Sequence, residues 1–138
     1  PKVVFNASVI LSGIYSPTGG SAKVLEWVKT NKIKGVISEI IKDEVIRKSY
    51  KLKINPEKAN KVCIKIFAEI VPSPKIALIN KFENTVIDYG DTHLLATAYQ
   101  TKSDYLLSLD KKHILSIKNK IKWTKIVSPG ELIKILVK

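Results

Sequence analysis

The spacing of apolar residues switches repeatedly along the chain between a period of two and a period near 3.6. A period of two is typical of strands, and a period near 3.6 is typical of amphipathic helices. Strands that alternate with helices are usually joined by right-handed crossovers, which makes them parallel. The pattern therefore predicts an α/β fold with a central parallel sheet and helices on both faces.

Short apolar stretches bounded by turn residues are predicted to be strands. These stretches are 2–6, 35–37, 105–109 and 125–127, with a further extended piece within 71–74. The apolar run 7–13 is predicted to be irregular. Helices are predicted where a capping residue precedes an apolar face. They cover 21–31 after a Ser21 cap, 38–53 after Ser38, 56–70 after Asn55, 76–82, 89–100 after Asp88, and the segment opened by the capping box Ser128–Glu131.

The length of 138 residues predicts a single domain over 1–138. The one cysteine, Cys63, excludes an internal disulfide and a zinc site built on several cysteines. No apolar run approaches the roughly 18 residues of a membrane span. The first residues do not have the layout of a signal peptide. We therefore expect a soluble cytoplasmic domain that does not enter a membrane.

Charge is the most informative part of the composition. The chain has 24 basic and 12 acidic residues, and its formal net charge is +12. This excess predicts a polyanionic partner, with nucleic acid ahead of an acidic protein or a membrane surface. Genome composition or growth at high temperature can also enrich a chain in lysine.

Few acidic residues remain on such a basic chain, and several of them follow predicted strands. Asp110 ends one strand, Glu44 lies in the helix after another, and Asp88 and Asp91 lie at a helix start, while Asn6 ends the first strand. The carboxyl ends of parallel strands meet at one edge of a sheet, where ligands bind. Oxygen ligands gathered there suit Mg²⁺ or Mn²⁺, and the surrounding lysines suit a phosphodiester substrate.

Each acid also has an ordinary structural interpretation. Asp88 is typical of a helix cap, and Asp91 is typical of a first-turn acid that favours the helix dipole. Glu44 can pair with Lys48 one turn later, and Asp110 can end a strand in a turn. The functional interpretation therefore depends on the set rather than on any one acid.

Four segments in order make the chain recognisable: 3–13 (VVFNASVILSG), 38–45, 88–96 (DYGDTHLLA) and 106–113 (LLSLDKKH), with the tail 126–132 in addition. Together they resemble the PIN-domain family, most closely its VapC-like toxin branch. The resemblance implies a Rossmann-like three-layer α/β/α fold and a metal-dependent ribonuclease that uses Mg²⁺ or Mn²⁺. It also implies an RNA substrate, a homodimer and an antitoxin protein as a partner.

The resemblance assigns the family's four acidic positions to Asn6, Glu44, Asp91 and Asp110. Asp88 is then an additional carboxylate near the metal, and Ser8 takes the place of a small polar residue that supports the first acid. Two positions depart from the family, which has Asp where this chain has Asn6 and usually Asn where it has Ser8. An amide oxygen can still face a metal, but it carries no charge and cannot act as a base. We therefore expect an intact fold with weakened metal binding and cleavage, whether Asn6 is an inactivating substitution or natural divergence.

Basic residues near the acids are predicted to contact RNA phosphates, the alternative being a solvated surface. The residues assigned this role are Arg47, Lys48, Lys111 and Lys112. His93 and His113 are too far apart in sequence to suggest a zinc pair, and His93 is interpreted as a packed or surface histidine that can border the site. Cys63 is predicted to be a small core residue.

Three functions remain open on the sequence. The first is a metal-dependent ribonuclease weakened by Asn6. The second is a degenerate PIN domain that binds RNA or an antitoxin without cutting. The third is an interaction protein whose acidic partner, such as an antitoxin peptide, neutralises the basic surface. Cleavage that requires metal supports the first, and salt-sensitive RNA binding without a metal response supports the second.

Overall fold

The computed structural model describes residues 1–137. In it, five parallel strands form one central sheet in the order β3-β2-β1-β4-β5. The strands are β1 (Lys2–Phe5), β2 (Lys34–Ser38), β3 (Glu69–Val71), β4 (Tyr105–Leu107) and β5 (Lys125–Val127). The helices are α1 (Ala7–Tyr15), α2 (Gly20–Lys29), α3 (Glu39–Lys48), α4 (Pro56–Ile66), α5 (Ile76–Lys81), α6 (Thr92–Gln100) and α7 (Pro129–Leu136). Three short 3-10 segments cover Ser49–Leu52, Tyr89–Asp91 and Leu115–Lys120.

The chain reverses its direction of travel across the sheet at β1. It runs from β1 through β2 to the edge strand β3 and then returns to β4 on the other side of β1. Right-handed crossovers on both legs place helices on opposite faces of the sheet. The predicted three-layer α/β/α architecture with a central parallel sheet is thereby confirmed. In such sheets the reversal opens a crevice at the carboxyl ends of the strands.

The central strands are apolar at successive positions because helices cover both of their faces. Val3, Val4 and Phe5 in β1, like Leu106 and Leu107 in β4, are completely buried. Val4 pairs with Leu106 across the ladder. The fully buried Cys63 on α4 is the predicted core residue, and burial raises the pKa of its thiol to about 11.

One glycine permits close packing of helices on the sheet. A Cβ atom added at Gly35 in β2 would lie 2.8 Å from Cε1 of Phe67 and 2.9 Å from the methyl groups of Val28. Phe67 packs edge-on against Phe5, with ring centroids 5.1 Å apart. Gly35 therefore leaves room for a side-chain layer that joins α2 and the end of α4 to the sheet.

The prediction for the run 7–13 was wrong, because this segment belongs to helix α1. Its apolar residues do not show a helical period since Val9, Ile10 and Leu11 are all buried. Helix α4 ends at Ile66 instead of continuing to 70, because Phe67 turns inward to the core and the strand β3 begins at Glu69. The extended piece is therefore 69–71 rather than within 71–74.

Several predicted helix boundaries also shift. Helix α3 ends at Lys48, and the predicted continuation to 53 is a 3-10 segment that stops where Lys53 takes a left-handed φ of 57°. Ser21 is not the cap of α2, because Gly19 is at that position and Ser21 is buried in the first turn. The strand predicted to reach Leu109 ends at Leu107, and α6 is preceded by a 3-10 turn.

Candidate functional site

A cavity of about 570 Å³ opens at the carboxyl ends of the strands. The sequence-predicted residues that line it are Asn6, Ser8, Glu44, Lys48, Asp88, Asp91 and Asp110. These residues come from four distant segments of the chain, and the topology brings them to one place. A second cavity of about 610 Å³ lies between the α1–α2 loop and α4, and Glu26 is its one acidic lining residue. The carboxylates therefore mark the first cavity as the candidate site.

Asn6 follows β1 directly and lies almost completely buried at the base of the cavity. Its backbone N–H donates to the carbonyl oxygen of Leu107, 2.9 Å away, which continues the ladder between β1 and β4. Its side-chain Nδ2 donates to Oγ of Ser108 at 2.9 Å. The amide is therefore held by the neighbouring strand end, and its oxygen is the atom left for a ligand.

Two serine hydroxyls join the end of β1 to the loop after β4. Ser108 Oγ accepts a second hydrogen bond from the backbone N–H of Asp110 at 3.0 Å. Ser8 Oγ, in the first turn of α1, accepts from the backbone N–H of Leu109 at 3.3 Å. These bonds fix the loop that carries Asp110 relative to Asn6.

Asp110 lies in a turn whose amide groups point at its carboxylate. Oδ1 accepts from the backbone N–H groups of Lys112 at 3.1 Å and His113 at 2.9 Å. Oδ2 lies 3.2 Å from Nδ1 of His113. Burial alone would raise the pKa of Asp110, but the hydrogen bonds from His113 and Lys112 outweigh it and hold the pKa below its usual value. Asp110 is therefore negatively charged at neutral pH.

Asp91 is the most crowded carboxylate of the site. It ends the 3-10 turn Tyr89–Asp91 and precedes α6. Burial raises its pKa, and the negative charges of Asp88, Asp110 and Glu44 raise it further. This crowding indicates a place where a bound cation would remove a repulsion between like charges.

Asp88 caps a turn and also lines the cavity. Its Oδ1 accepts from the backbone N–H of Gly90 at 2.9 Å, so it caps the 3-10 turn. Its exposed side chain also lines the cavity beside Asp91. The cap and the additional carboxylate are therefore one residue, and neither interpretation excludes the other.

Glu44 is held between two basic partners. Its Oε2 lies 2.9 Å from Nζ of Lys48, which is the predicted i to i+4 pair, and its Oε1 lies 3.6 Å from Nε2 of His93. The His93 contact, followed by Lys48, lowers the pKa of Glu44 to about 2 against the opposing effect of burial. Glu44 therefore borders the cavity as an anion whose charge is already balanced.

The predicted RNA contacts divide into two groups. Lys48 lines the cavity, whereas Arg47, Lys111 and Lys112 are exposed outside its lining. The structure adds Lys51 and the 63 % exposed Tyr15 to the cavity wall. Lys51 lies three residues after Lys48, a spacing that could have indicated it, while Tyr15 shows no signal in the sequence.

Both histidines lie closer to the site than their separation in sequence suggested. His113 follows Asp110 by three residues and lines the cavity. One ligand atom from each of Asp91, Asp110 and His113 lies within 4.8 Å of the others. His93 follows Asp91 by two residues and is buried against Glu44. The short spacing of each histidine to a preceding acid indicates its place near the site, whereas the spacing between the two histidines does not.

The family model described as PIN domain matches residues 2–112, which include β1 to β4 and every sequence-predicted site residue. The chain belongs to the PIN-domain family. PIN domains are generally metal-dependent nucleases, and the cavity of this PIN domain contains an acidic cluster that could hold a metal ion. No curated protein matches the chain. Within residues 1–137, no helix is long and apolar enough to cross a membrane.

Proposed function

We propose that this PIN domain is a metal-dependent endoribonuclease of the VapC-like toxin type. The observation that supports this most is the single cavity in which Glu44, Asp91 and Asp110 face Lys48 and Lys51. Carboxylates suit a divalent cation, and lysines suit the phosphates of the bound RNA. The products, as the family implies, carry a 5′-phosphate and a 3′-hydroxyl, so water attacks phosphorus and the bond to the 3′ oxygen breaks.

The donor atoms of the cavity fit a divalent cation. Asp91 and Asp110 supply carboxylate oxygens, and the amide oxygen of Asn6 is a neutral oxygen donor at the same strand ends. Burial, followed by the negative charges of Asp88, Asp110 and Glu44, raises the pKa of Asp91, and a cation would relieve the repulsion among these charges. When bound, Mg²⁺ or Mn²⁺ supplies a Lewis acid that activates water and stabilises the charge developing on the phosphate.

The side chains around this centre have separate tasks in the proposed reaction. Asp91 and Asp110 hold the cation, and Ser108 orients Asn6 through its hydrogen bond. Glu44 keeps its negative charge at every physiological pH because its pKa is about 2. Its role is to position Lys48 at 2.9 Å, so that the ammonium group reaches the substrate side of the cavity.

The RNA is held by the basic and aromatic side of the cavity. Lys48 and Lys51 contact the phosphates next to the scissile one, and the exposed ring of Tyr15 stacks on a base. The proposal also assigns contacts further along the RNA strand to the exposed Lys111, Lys112 and Arg47. Stacking requires an unpaired base, so the substrate is single-stranded RNA.

Asn6 sets the level of activity in this proposal. A carboxylate at this position would add a negative charge to the site, whereas the amide adds none. We therefore expect slow cleavage. The same observation favours a second candidate, a PIN domain that binds RNA or an acidic antitoxin without cutting. A homodimer and an antitoxin partner belong to the toxin branch and are proposed with it.

A cleavage assay on single-stranded RNA tests the proposal. The chain is incubated with Mn²⁺, Mg²⁺ or EDTA, next to its Asp91→Asn and Asp110→Asn variants. Asp104→Asn is the matched control, because Asp104 is exposed and immediately precedes β4, at the edge of the sheet opposite the cavity. We expect the unchanged chain and the Asp104→Asn control to cleave slowly. EDTA, Asp91→Asn and Asp110→Asn should each abolish this cleavage. Equal cleavage by Asp110→Asn would contradict the proposed site, and RNA binding without cleavage under any condition would favour the second candidate.

A further inference from the structure

The ligand cluster at the base of the cavity contains a nitrogen donor. Within residues 1–137, the group of three whose ligand atoms lie within 4.8 Å of one another is Asp91, Asp110 and His113. Glu44 and Asp88 line the same cavity without joining this group. The closest set of ligands therefore consists of two carboxylates and one imidazole.

His113 is fixed in place by the turn after β4. Its backbone N–H donates to Asp110 Oδ1 at 2.9 Å, and its ring nitrogen Nδ1 lies 3.2 Å from Asp110 Oδ2. The next residue, Ile114, is completely buried and anchors the turn in the core. The imidazole is thus held beside the carboxylates. In the neutral tautomer whose Nδ1–H donates to Asp110, the lone pair that can bind a cation is on Nε2. Hydrogen bonds of this kind orient histidine ligands in metal sites.

The charge of the cluster matches one divalent cation. Its two carboxylates, Asp91 and Asp110, carry a combined charge of two. Glu44 already contacts Lys48 at 2.9 Å and His93 at 3.6 Å, and Asn6 brings no charge. Asp88 lines the cavity outside the cluster.

We propose that His113 is a direct ligand of a single divalent cation and that it makes this site prefer first-row transition ions, with Mn²⁺ as the probe, to Mg²⁺. Mg²⁺ favours oxygen ligands almost exclusively, whereas imidazole nitrogen is a good donor to transition ions. This inference deepens the proposed ribonuclease site and rests on it for the presence of the cation. It adds a residue that the acid pattern does not assign.

Two measurements on the full chain without RNA test this proposal. Isothermal titration with MnCl₂ and with MgCl₂ gives the stoichiometry and the ratio of the two dissociation constants. Electron spin-echo envelope modulation of the bound Mn²⁺ detects nitrogen directly through its nuclear coupling. The chain has only two histidines, so two variants assign the signal. We expect one Mn²⁺ per chain, binding about tenfold or more tighter than Mg²⁺, and a nitrogen signal from a histidine.

The variants separate a ligand from a structural residue. His113→Ala is expected to abolish the nitrogen signal and to reduce the preference for Mn²⁺ about tenfold, while His93→Gln retains the signal. His113→Asp, which restores an oxygen ligand, is expected to favour Mg²⁺ and covers the case in which the alanine variant folds poorly. Asn119→Ala, an exposed change nearby in the chain, is the matched control.

Each outcome has one meaning for the proposal. Three results overturn the proposal. They are the absence of a nitrogen signal in the unchanged chain, a signal lost only in His93→Gln, and a metal preference that is unchanged in both His113 variants. Failure of the chain to cleave RNA while the nitrogen signal is present counts against the proposed ribonuclease, not against His113 as a ligand.

Discussion

Asn6 Nδ2 donates a 2.9 Å hydrogen bond to Oγ of Ser108, and this contact joins the ends of two neighbouring parallel strands. The same oxygen accepts the backbone N–H of Asp110. A hydroxyl can also donate, so Ser108 can reverse its bond if position 6 becomes a carboxylate. The fold can therefore accommodate either residue at position 6, and the difference between them falls on the charge of the cavity.

The Asn6→Asp variant is expected to bind Mn²⁺ roughly tenfold more tightly or better and to cleave RNA faster, because it adds one negative charge to the ligand set. Without metal, the new charge repels Asp91 and Asp110, so the variant is expected to unfold at a lower temperature in EDTA. Cleavage rates and melting curves with and without Mn²⁺ measure both effects. Identical metal affinity in the two chains would show that position 6 does not face the cation.

Ser108→Ala removes the acceptor of two donors, the buried Asn6 amide and the partly buried Asp110 backbone N–H. We expect a loss of about 1–3 kcal/mol in the free energy of unfolding, because the donors keep their desolvation cost without a partner. Urea denaturation measures this loss. Ser116→Ala is the control, since its hydroxyl donates to a carbonyl at an exposed position. Equal losses in the two variants would contradict the role given to Ser108.

Glu44 should make the stability of the metal-free protein depend on acid pH. Its pKa is about 2 in the folded chain, below its ordinary 4.5, so its stabilising effect is complete above pH 4.5 and is lost as the pH falls toward 2. The loss is on the order of 2 kcal/mol. The free energy of unfolding, measured with urea in EDTA across this pH range, should fall less steeply for Glu44→Gln than for the unchanged chain. Glu39→Gln, at an exposed position at the start of α3, should retain the full dependence.

Lys51→Ala is expected to weaken RNA binding and to reduce the slope of log affinity against log salt by about one, because one phosphate contact is lost. Tyr15→Ala is expected to weaken binding by roughly 1–3 kcal/mol with the salt slope unchanged, since stacking involves no counterion. Fluorescence anisotropy with labelled single-stranded RNA in EDTA measures both. Lys65→Ala, exposed on α4, should bind as the unchanged chain does. A salt slope that is the same for Lys51→Ala and for the control would place the RNA elsewhere.

Gly35→Ala is expected to destabilise the fold by about 1–3 kcal/mol, because the added methyl group meets Phe67 and Val28 at less than 3.0 Å. Gly130→Ala is the matched control, since the nearest atom to an added Cβ lies 3.9 Å away. Thermal unfolding of both variants tests the difference. A Gly35→Ala variant as stable as the control would show that the helices can move away from the sheet at little cost.

Much of the fold followed from local signals in the sequence. The switching period predicted the parallel sheet, and the Ser128 capping box is present with both of its hydrogen bonds. Helix α1 was missed for a physical reason. Val9, Ile10 and Leu11 are all buried, and the opposite face carries only Ser8, Ser12 and Tyr15, so the apolar run masks the helical period.

The candidate site, like the fold, could be predicted only in part from the sequence. The acids could be predicted because strand ends meet at one edge of a sheet whatever the details of the packing. Lys48, the local partner of Glu44, could be predicted from its i to i+4 spacing, but the partners distant in sequence could not. His93 meets Glu44 only because the fold brings the first turn of α6 within reach of α3, and Tyr15 reaches the cavity only because α1 is a helix. These contacts depend on the packing of elements distant in sequence, which no local pattern contains.

The pairing of β1 with β4 also bears on how the chain is made. Asn6 and Ser108 are 102 positions apart, so the ribosome releases the first strand long before the residues that complete the cavity. Until β4 inserts beside β1, Asp110 cannot lie next to Asn6, and the cavity is not assembled in the nascent chain. In the proposed ribonuclease, this topology therefore delays RNA cleavage until β4 has been translated.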